Sequence, residues 1–416
     1  MYASGLMRAL AQRGHEVHGV AVERVLRGAP ACTAGTTSEA GCAIDRLDVT
    51  LSPDASFVLL AEHAPAEAWF DALLVRFRPD VVHLHSGYLL GIVTIRAAHR
   101  AGVPVVLTLH DYWFACPRVT RLHPSGEVCS GAETPAKCAW CLSSDQRRFR
   151  LADRLTGGRL SAAKDASLIW RAFMGGPVDG VRARQQATRD ALESVSIVLA
   201  PSRFVAAAVA GESYPLERMR LSRYGIPSPA VRQPVPNQRL RIAYFGQLAP
   251  HKGVHLVVEA VRALPGHDLA LTVHGPLGAH PEYVARLQRL ADGDPRICFA
   301  GPYQREALAR LYDETDVVVV PSVWHEVAAL VIQEALSAGI PVVVSTLGGS
   351  PEFVHDGVNG LLFDVARPGA LVEAFRRLLD DPTLVARLAA GCQPARTVDA
   401  EVDALVEAYA SLCSPP

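Results

Sequence analysis

Along the chain, short runs of Val, Ile and Leu alternate with longer stretches in which apolar residues recur every three or four positions. The runs at 17–22, 81–84, 103–109, 197–200, 241–245, 269–273, 317–320 and 342–345 read as strands. Several are apolar throughout, as expected of parallel strands covered on both faces. The stretches 6–12, 66–77, 254–264, 281–291 and 306–314 read as amphipathic helices. Strand and helix in such alternation predict a doubly wound α/β architecture. It is interrupted at 227–238, where Pro227, Pro229, Pro234 and Pro236 stand among polar residues as an extended linker. A chain of 416 residues exceeds one ordinary core. Two domains are therefore expected, 1–230 and 238–396, with a closing helix within 397–416 placed to cross back to the first.

Composition narrows the class. Half of the residues are hydrophobic and 20% are charged, which is globular, and no apolar run reaches the roughly 18 residues of a membrane span. A formal net charge of −1 excludes a general nucleic-acid binder, whose phosphate contacts need a cationic excess. Residues 1–14 show no charged leader followed by an apolar stretch and a cleavage site. With nine cysteines, an odd number, the expectation is a cytoplasmic protein whose thiols are reduced or metal-bound. The chain opens inside a helix pattern that runs into Gly14-His15-Glu16-Val17, without the strand and glycine-rich turn that normally begin such a unit. A start codon placed too far downstream is the expected reason, with a chain that lacks this piece as the alternative.

The densest chemistry lies at 317–363. A strand ends in Pro321-Ser322, Val323-Trp324-His325-Glu326 follows, and a helix carries Glu334. With Glu326 at the loop tip and Glu334 about two turns into the helix, both carboxylates are expected to face one cleft at the carboxyl edge of the sheet. Ionised acids there accept hydrogen bonds from sugar and ribose hydroxyls, and a helix start beside them suits a diphosphate. A second site is Tyr244-Phe245-Gly246-Gln247-Leu248-Ala249-Pro250-His251-Lys252-Gly253, where a strand ends and a lysine precedes a helix. Lysine occurs only at Lys137, Lys164 and Lys252, against 38 arginines, which favours a positional role for Lys252 as a diphosphate clamp. Gly275 is expected to let the backbone approach a nucleotide, or to be an ordinary turn glycine. No Walker-type sequence and no full Gly-x-Gly-x-x-Gly follows a strand, so ATPase and dehydrogenase readings lack support.

Pro321-Ser322, the two glutamates, Ala338-Gly339-Ile340-Pro341, Gly348-Gly349-Ser350-Pro351-Glu352 and Asp356-Gly357-Val358-Asn359-Gly360 stand in order. Here the chain resembles family-four retaining glycosyltransferases of the GT-B fold, which consists of two facing Rossmann-like domains. The resemblance implies that Glu326 holds the donor sugar's hydroxyls, that Glu334 holds the ribose, and that Gly246, Lys252 and Gly275 belong to the donor site. It further implies that His110, in Leu109-His110-Asp111, approaches the donor sugar as a catalytic-site residue beside Glu326. His83 and His85 are weaker candidates, of which at most one is expected to face the cleft. The sequence departs from the family at Gln247, where a basic residue is usual, and at Val327-Ala328-Ala329, where a glycine-rich turn is usual.

Cys116, Cys129, Cys138 and Cys141 form C-x12-C-x8-C-x2-C in a segment, 112–145, that reads as a loop. Four thiolates with a C-x2-C pair suit a closed structural zinc site; unrelated thiols and disulfides are the alternatives. Residues 147–171 carry seven basic side chains, compatible with a solvated helix face, an anionic membrane surface or an acceptor's phosphate. The function expected is transfer of a sugar from a nucleotide-diphosphate sugar, with retention and without a catalytic metal, to a sugar, lipid-linked or small-molecule acceptor such as a growing polysaccharide. The rival is a non-catalytic relative that binds sugar nucleotides or glycans.

Overall fold

The computed structural model describes residues 2–39, 41–56, 60–131, 134–144, 151, 155, 175–213, 218–227, 232 and 239–413. They belong to two compact units, Met1–Arg223 with Asp399–Pro416, and Tyr224–Val398. The last helix thus belongs to the first unit.

The first unit contains helices α1 (Tyr2–Gln12), α2 (Ala64–Phe77), α3 (Gly91–Arg100), α4 (Pro135–Ser144), α5 (Gly175–Glu193) and α6 (Arg203–Ser213). Its strands form two sheets rather than one. β4 (Val82–Leu84), β5 (Val105–Thr108), β6 (Ile197–Ala200) and β7 (Met219–Leu221) pair in that order, all parallel. β1 (His18–Arg27), β2 (Ala31–Glu39) and β3 (Cys42–Leu51) pair in the order β1-β3-β2, with β2 antiparallel to β3. The apolar pattern did not predict β2 or β3. β2 reads ACTAGTTSE and is exposed over most of its length, so it offers no apolar run to detect. β3 alternates Leu47, Val49 and Leu51, all buried, with polar neighbours, and packs on Phe70 and Leu73 of α2.

The second unit adds α7 (Val254–Arg262), α8 (Pro281–Ala291), α9 (Leu308–Asp313), α10 (Leu330–Ser337), α11 (Ala370–Asp380) and α12 (Leu384–Ala390); the chain then ends in α13 (Val398–Cys413). The 306–314 helix pattern resolves into a 3-10 turn, Arg305–Ala307, followed by α9. Strands β8 (Leu240–Phe245), β9 (Leu269–His274), β10 (Ile297–Gly301), β11 (Val317–Val320), β12 (Val342–Ser345) and β13 (Gly360–Phe363) form one parallel sheet in the order β10-β9-β8-β11-β12-β13. The four valines of β11 show why its sequence carries no polar face. Val317 and Val319 enter one core with Val257, Leu287 and Phe375, whereas Val318 and Val320 enter the other with Ile332 and Leu336. Each such burial contributes about 1.5–3 kcal/mol relative to exposure. Among the described residues no helix is long and apolar enough to cross a membrane.

Candidate active site

Winding in the second unit reverses between β8 and β11, and open α/β sheets hold ligands outside the carboxyl ends of the strands at such a point. The loops that leave these two strands are stitched together. After β8 the chain makes a 3-10 turn, Pro250–Lys252, and Gly253 follows at φ 71°. A side-chain carbon on Gly253 would lie 1.9 Å from the Pro321 carbonyl oxygen. The Val323 N–H donates to the His251 carbonyl at 2.9 Å.

This approach sets Lys252 against Glu326. Lys252 Nζ stands 2.8 Å from Glu326 Oε1 and 4.8 Å over the Trp324 ring. The same carboxylate oxygen accepts the Ser322 hydroxyl at 2.6 Å and the Trp324 indole N–H at 2.8 Å. The Glu326 side chain is 8% exposed and that of Lys252 24%. The acid's backbone is fixed as well: Glu326 bridges Gly348, and the Gly349 N–H donates to the Glu326 carbonyl at 2.7 Å. Gly348 lies at φ 71°, and a side-chain carbon there would come within 2.5 Å of the Glu326 backbone nitrogen and oxygen. Burial, with the neighbouring ammonium, pushes the His251 pKa down to about 4, and its neutral ring meets Trp324 edge-on at 5.1 Å.

Glu334 is handled separately. It is the fifth residue of α10, one turn into the helix rather than the expected two, because α10 begins only at Leu330. Its carboxylate, 14% exposed, accepts Arg305 Nη2 at 2.9 Å. Sequence reasoning missed Arg305, which stands 29 positions upstream with no motif around it. Gly275 meets a neighbouring loop: a side-chain carbon there would lie 1.9 Å from the Gly246 carbonyl, so its bareness lets the ends of β8 and β9 close on each other.

In the first unit, the strand-end histidines form a stack. His83 and His85, two apart on β4 and the turn after it, share one face with ring centroids 4.0 Å apart. His85 Nδ1 lies 3.1 Å from His110 Nε2, and the Tyr2 ring meets His110 edge-on at 4.7 Å. His83 is tied to the Tyr409 hydroxyl of α13 at 2.5 Å and to Thr108 Oγ1 at 2.7 Å. Both rings thus pile on the same side as His110. Burial lowers the His83 pKa to about 3, aided by His110, and that of His110 to about 4. Burial likewise keeps His85 well below the ordinary value. The three rings are neutral at pH 7.

No disulfide joins Cys116, Cys129, Cys138 or Cys141. Among the described residues no group of three or more His, Cys, Asp or Glu side chains is arranged to hold a metal ion. The segment is also more structured than a loop, since Cys138 and Cys141 lie inside α4. Most of the basic stretch 147–171 lies outside the described residues.

Two Rossmann-like units, the second with an ammonium–carboxylate pair at its switch point, define a protein of the GT-B class. Residues 1–155 match Glycosyltransferase Family 4 and residues 230–392 match Glycosyl transferases group 1. The chain belongs to the family-four glycosyltransferases. It is similar to D-inositol 3-phosphate glycosyltransferases. One from Mycolicibacterium smegmatis is 33% identical over 43% of this chain and 42% of its own length. One from Thermomonospora curvata is 29% identical over 79% of this chain and 71% of its own length. The matched part therefore spans less than half of the Mycolicibacterium relative. Among solved structures, sucrose-phosphate synthase from Thermosynechococcus elongatus superimposes with a TM-score of 0.67, at 19% identity, over 99% of this chain and 92% of that one. Anabaena HepE in complex with UDP gives a TM-score of 0.61, at 18% identity, over 88% and 86%.

Proposed function

We propose that this protein transfers a sugar from a nucleoside-diphosphate sugar to an acceptor hydroxyl, with retention at the anomeric carbon. The observation that carries the reading is the Lys252–Glu326 pair, 2.8 Å apart, on the two loops that flank the switch point of the second unit. An ammonium beside the start of α7 offers a fixed positive end for a diphosphate. A nearly buried carboxylate already aimed by Ser322 and Trp324 offers an acceptor for sugar hydroxyls. Relatives that act on inositol phosphate and a structural neighbour that binds UDP support a nucleotide donor and a hydroxyl acceptor.

In the proposed step the bond between the anomeric carbon and the diphosphate breaks, and its electron pair leaves with the diphosphate. Lys252 stabilises that charge, in place of a divalent ion. The acceptor oxygen bonds to the same face of that carbon and passes its proton to the departing diphosphate. Glu326 orients the sugar, Glu334 the ribose, and His110, neutral and held by His85, meets a sugar hydroxyl, as the family resemblance implies. The test is incubation with UDP-, GDP- and ADP-sugars, following slow donor hydrolysis and then transfer to candidate acceptors, with product anomers read by NMR. Hydrolysis of one donor class that persists in EDTA, and a product of unchanged anomeric configuration, is the expected result. A protein that binds sugar nucleotides without hydrolysing or transferring any of them would be the non-catalytic relative instead.

A further inference from the structure

The cysteine segment of the first unit encloses two buried positive charges. After β5 the chain folds on itself: the Cys116 N–H donates to the Tyr112 carbonyl at 2.6 Å, and Leu122 bridges Val128. The Cys129 N–H donates to the Arg121 carbonyl at 2.8 Å, so Cys129 ends the arm that Arg121 begins. The Cys116 sulfur accepts the backbone N–H groups of Arg118 and Arg121. Cys138 and Cys141 lie three apart on α4, hence on one face of that helix. Cys138 packs with Ala139 against Val181 of α5.

One turn along α5 from Val181 stands Arg184, only 2% exposed. Its Nη2 donates to the Trp113 carbonyl and its guanidinium lies 4.6 Å from the Trp113 ring centroid, but its Nε has no hydrogen-bond partner. Arg121, 6% exposed, donates through Nη2 to the Ser130 carbonyl at 2.8 Å, and its Nη1 likewise has no partner. Guanidinium groups stay charged in proteins, and a buried charge without a counter-ion costs several kcal/mol. Among the described residues neither arginine forms a salt bridge with a carboxylate. Cys116 and Cys138 lie within electrostatic range of Arg184, and Cys129 within range of Cys116.

We propose that Cys116, Cys129, Cys138 and Cys141 bind one zinc ion as four thiolates, with Arg121 and Arg184 as the counter-charges of the site. A divalent ion with four thiolates carries two negative charges, which two guanidinium groups offset. Binding forms four zinc–sulfur bonds and releases four thiol protons to solvent; nothing is oxidised or reduced. Without the ion the sulfurs do not converge into a ligand set, so zinc must draw the α4 face and the 116–129 arm together. The N–H groups already directed at Cys116 are the bonds that lower the charge on a metal-bound sulfur. A closed site of this kind holds structure and leaves no open position for catalysis.

The experiment is metal analysis of the full chain, produced in zinc-supplemented medium and purified without chelator or a metal-affinity tag. About one zinc per chain is expected, with the clustered thiols protected from a thiol reagent until a chelator is added. Cobalt exchange should give the intense visible bands of a tetrahedral tetrathiolate. Because Cys138→Ser with Cys141→Ser can prevent folding, Arg184→Met provides the second variant. It keeps all four sulfurs and should lower zinc affinity at least tenfold in competition with a chromophoric chelator. Absence of zinc, a disulfide among the four cysteines, cobalt bands of another geometry, or unchanged affinity in Arg184→Met each overturn the proposal.

Discussion

Lys252 and Glu326 neutralise each other across 74 positions of sequence, and each is also held by Trp324, one by the ring face and the other by the indole N–H. A diphosphate that attracts the ammonium must compete with this pair, and a sugar that reaches the carboxylate replaces the lysine with its own hydroxyls. The two residues therefore act as a unit. Lys252→Met and Glu326→Gln should each lower donor turnover by about a hundredfold or more, while the double variant falls well short of the product of the two losses. Steady-state kinetics of the four proteins measure this directly.

Trp324→Phe separates the two contacts that tryptophan makes. The ring remains under Lys252, and one of the three donors on Glu326 Oε1 disappears. A hydrogen bond to a charged group is worth about 1.5–3 kcal/mol, so kcat/KM should fall by about tenfold to a hundredfold. Trp324→Leu, which removes the ring too, should fall further and raise KM for the donor.

Gly348→Ala tests the backbone support of the acid. The new methyl group meets the Glu326 main chain at 2.5 Å from a φ of 71°. Strain of this kind costs on the order of 3 kcal/mol or more. The unfolding transition of the second unit should move to lower denaturant, with loss of activity in the protein that remains folded.

Acid should loosen the first unit through its histidines. Their folded pKa values, about 3 for His83 and about 4 for His110, lie below the ordinary 6.5 because burial disfavours the imidazolium. The unfolded chain thus binds more protons between pH 6.5 and about 3, and stability rises with pH over that window. The contribution is complete above pH 6.5 and is lost progressively as the pH falls toward 3. Urea melts from pH 7 to 4 should show falling midpoints, with a smaller slope in His83→Gln; a slope the same in both proteins would falsify the assignment.

The uninterrupted valines of β11, the Lys252 loop and the two glutamates were legible because buried parallel strands and charged loop tips leave local marks in sequence. The exposed, threonine-rich β2 leaves none, since it pairs with β3 through the backbone ladder and presents no apolar face. The same holds for partners drawn from far along the chain. Arg305 beside Glu334, Tyr409 beside His83, and Arg184 among the cysteines are separated from their partners by 29, 326 and at least 43 positions. No spacing rule reaches that far. Secondary structure hid Cys138 and Cys141 in another way: a segment read as irregular forms a helix that puts the pair on one side.

The return of α13 makes the two units unequal as fragments. Tyr224–Val398 is continuous, a sequence inserted between two parts of its neighbour, whereas the first unit is completed only by Asp399–Pro416. In that final helix Val402 and Leu405 are buried, and Glu401 is buried while accepting the Tyr2 hydroxyl at 2.5 Å. Excision of the insert, with a short splice in its place, should yield a foldable amino-terminal module. Expression of residues 1–223 by themselves should instead expose a sticky furrow and precipitate.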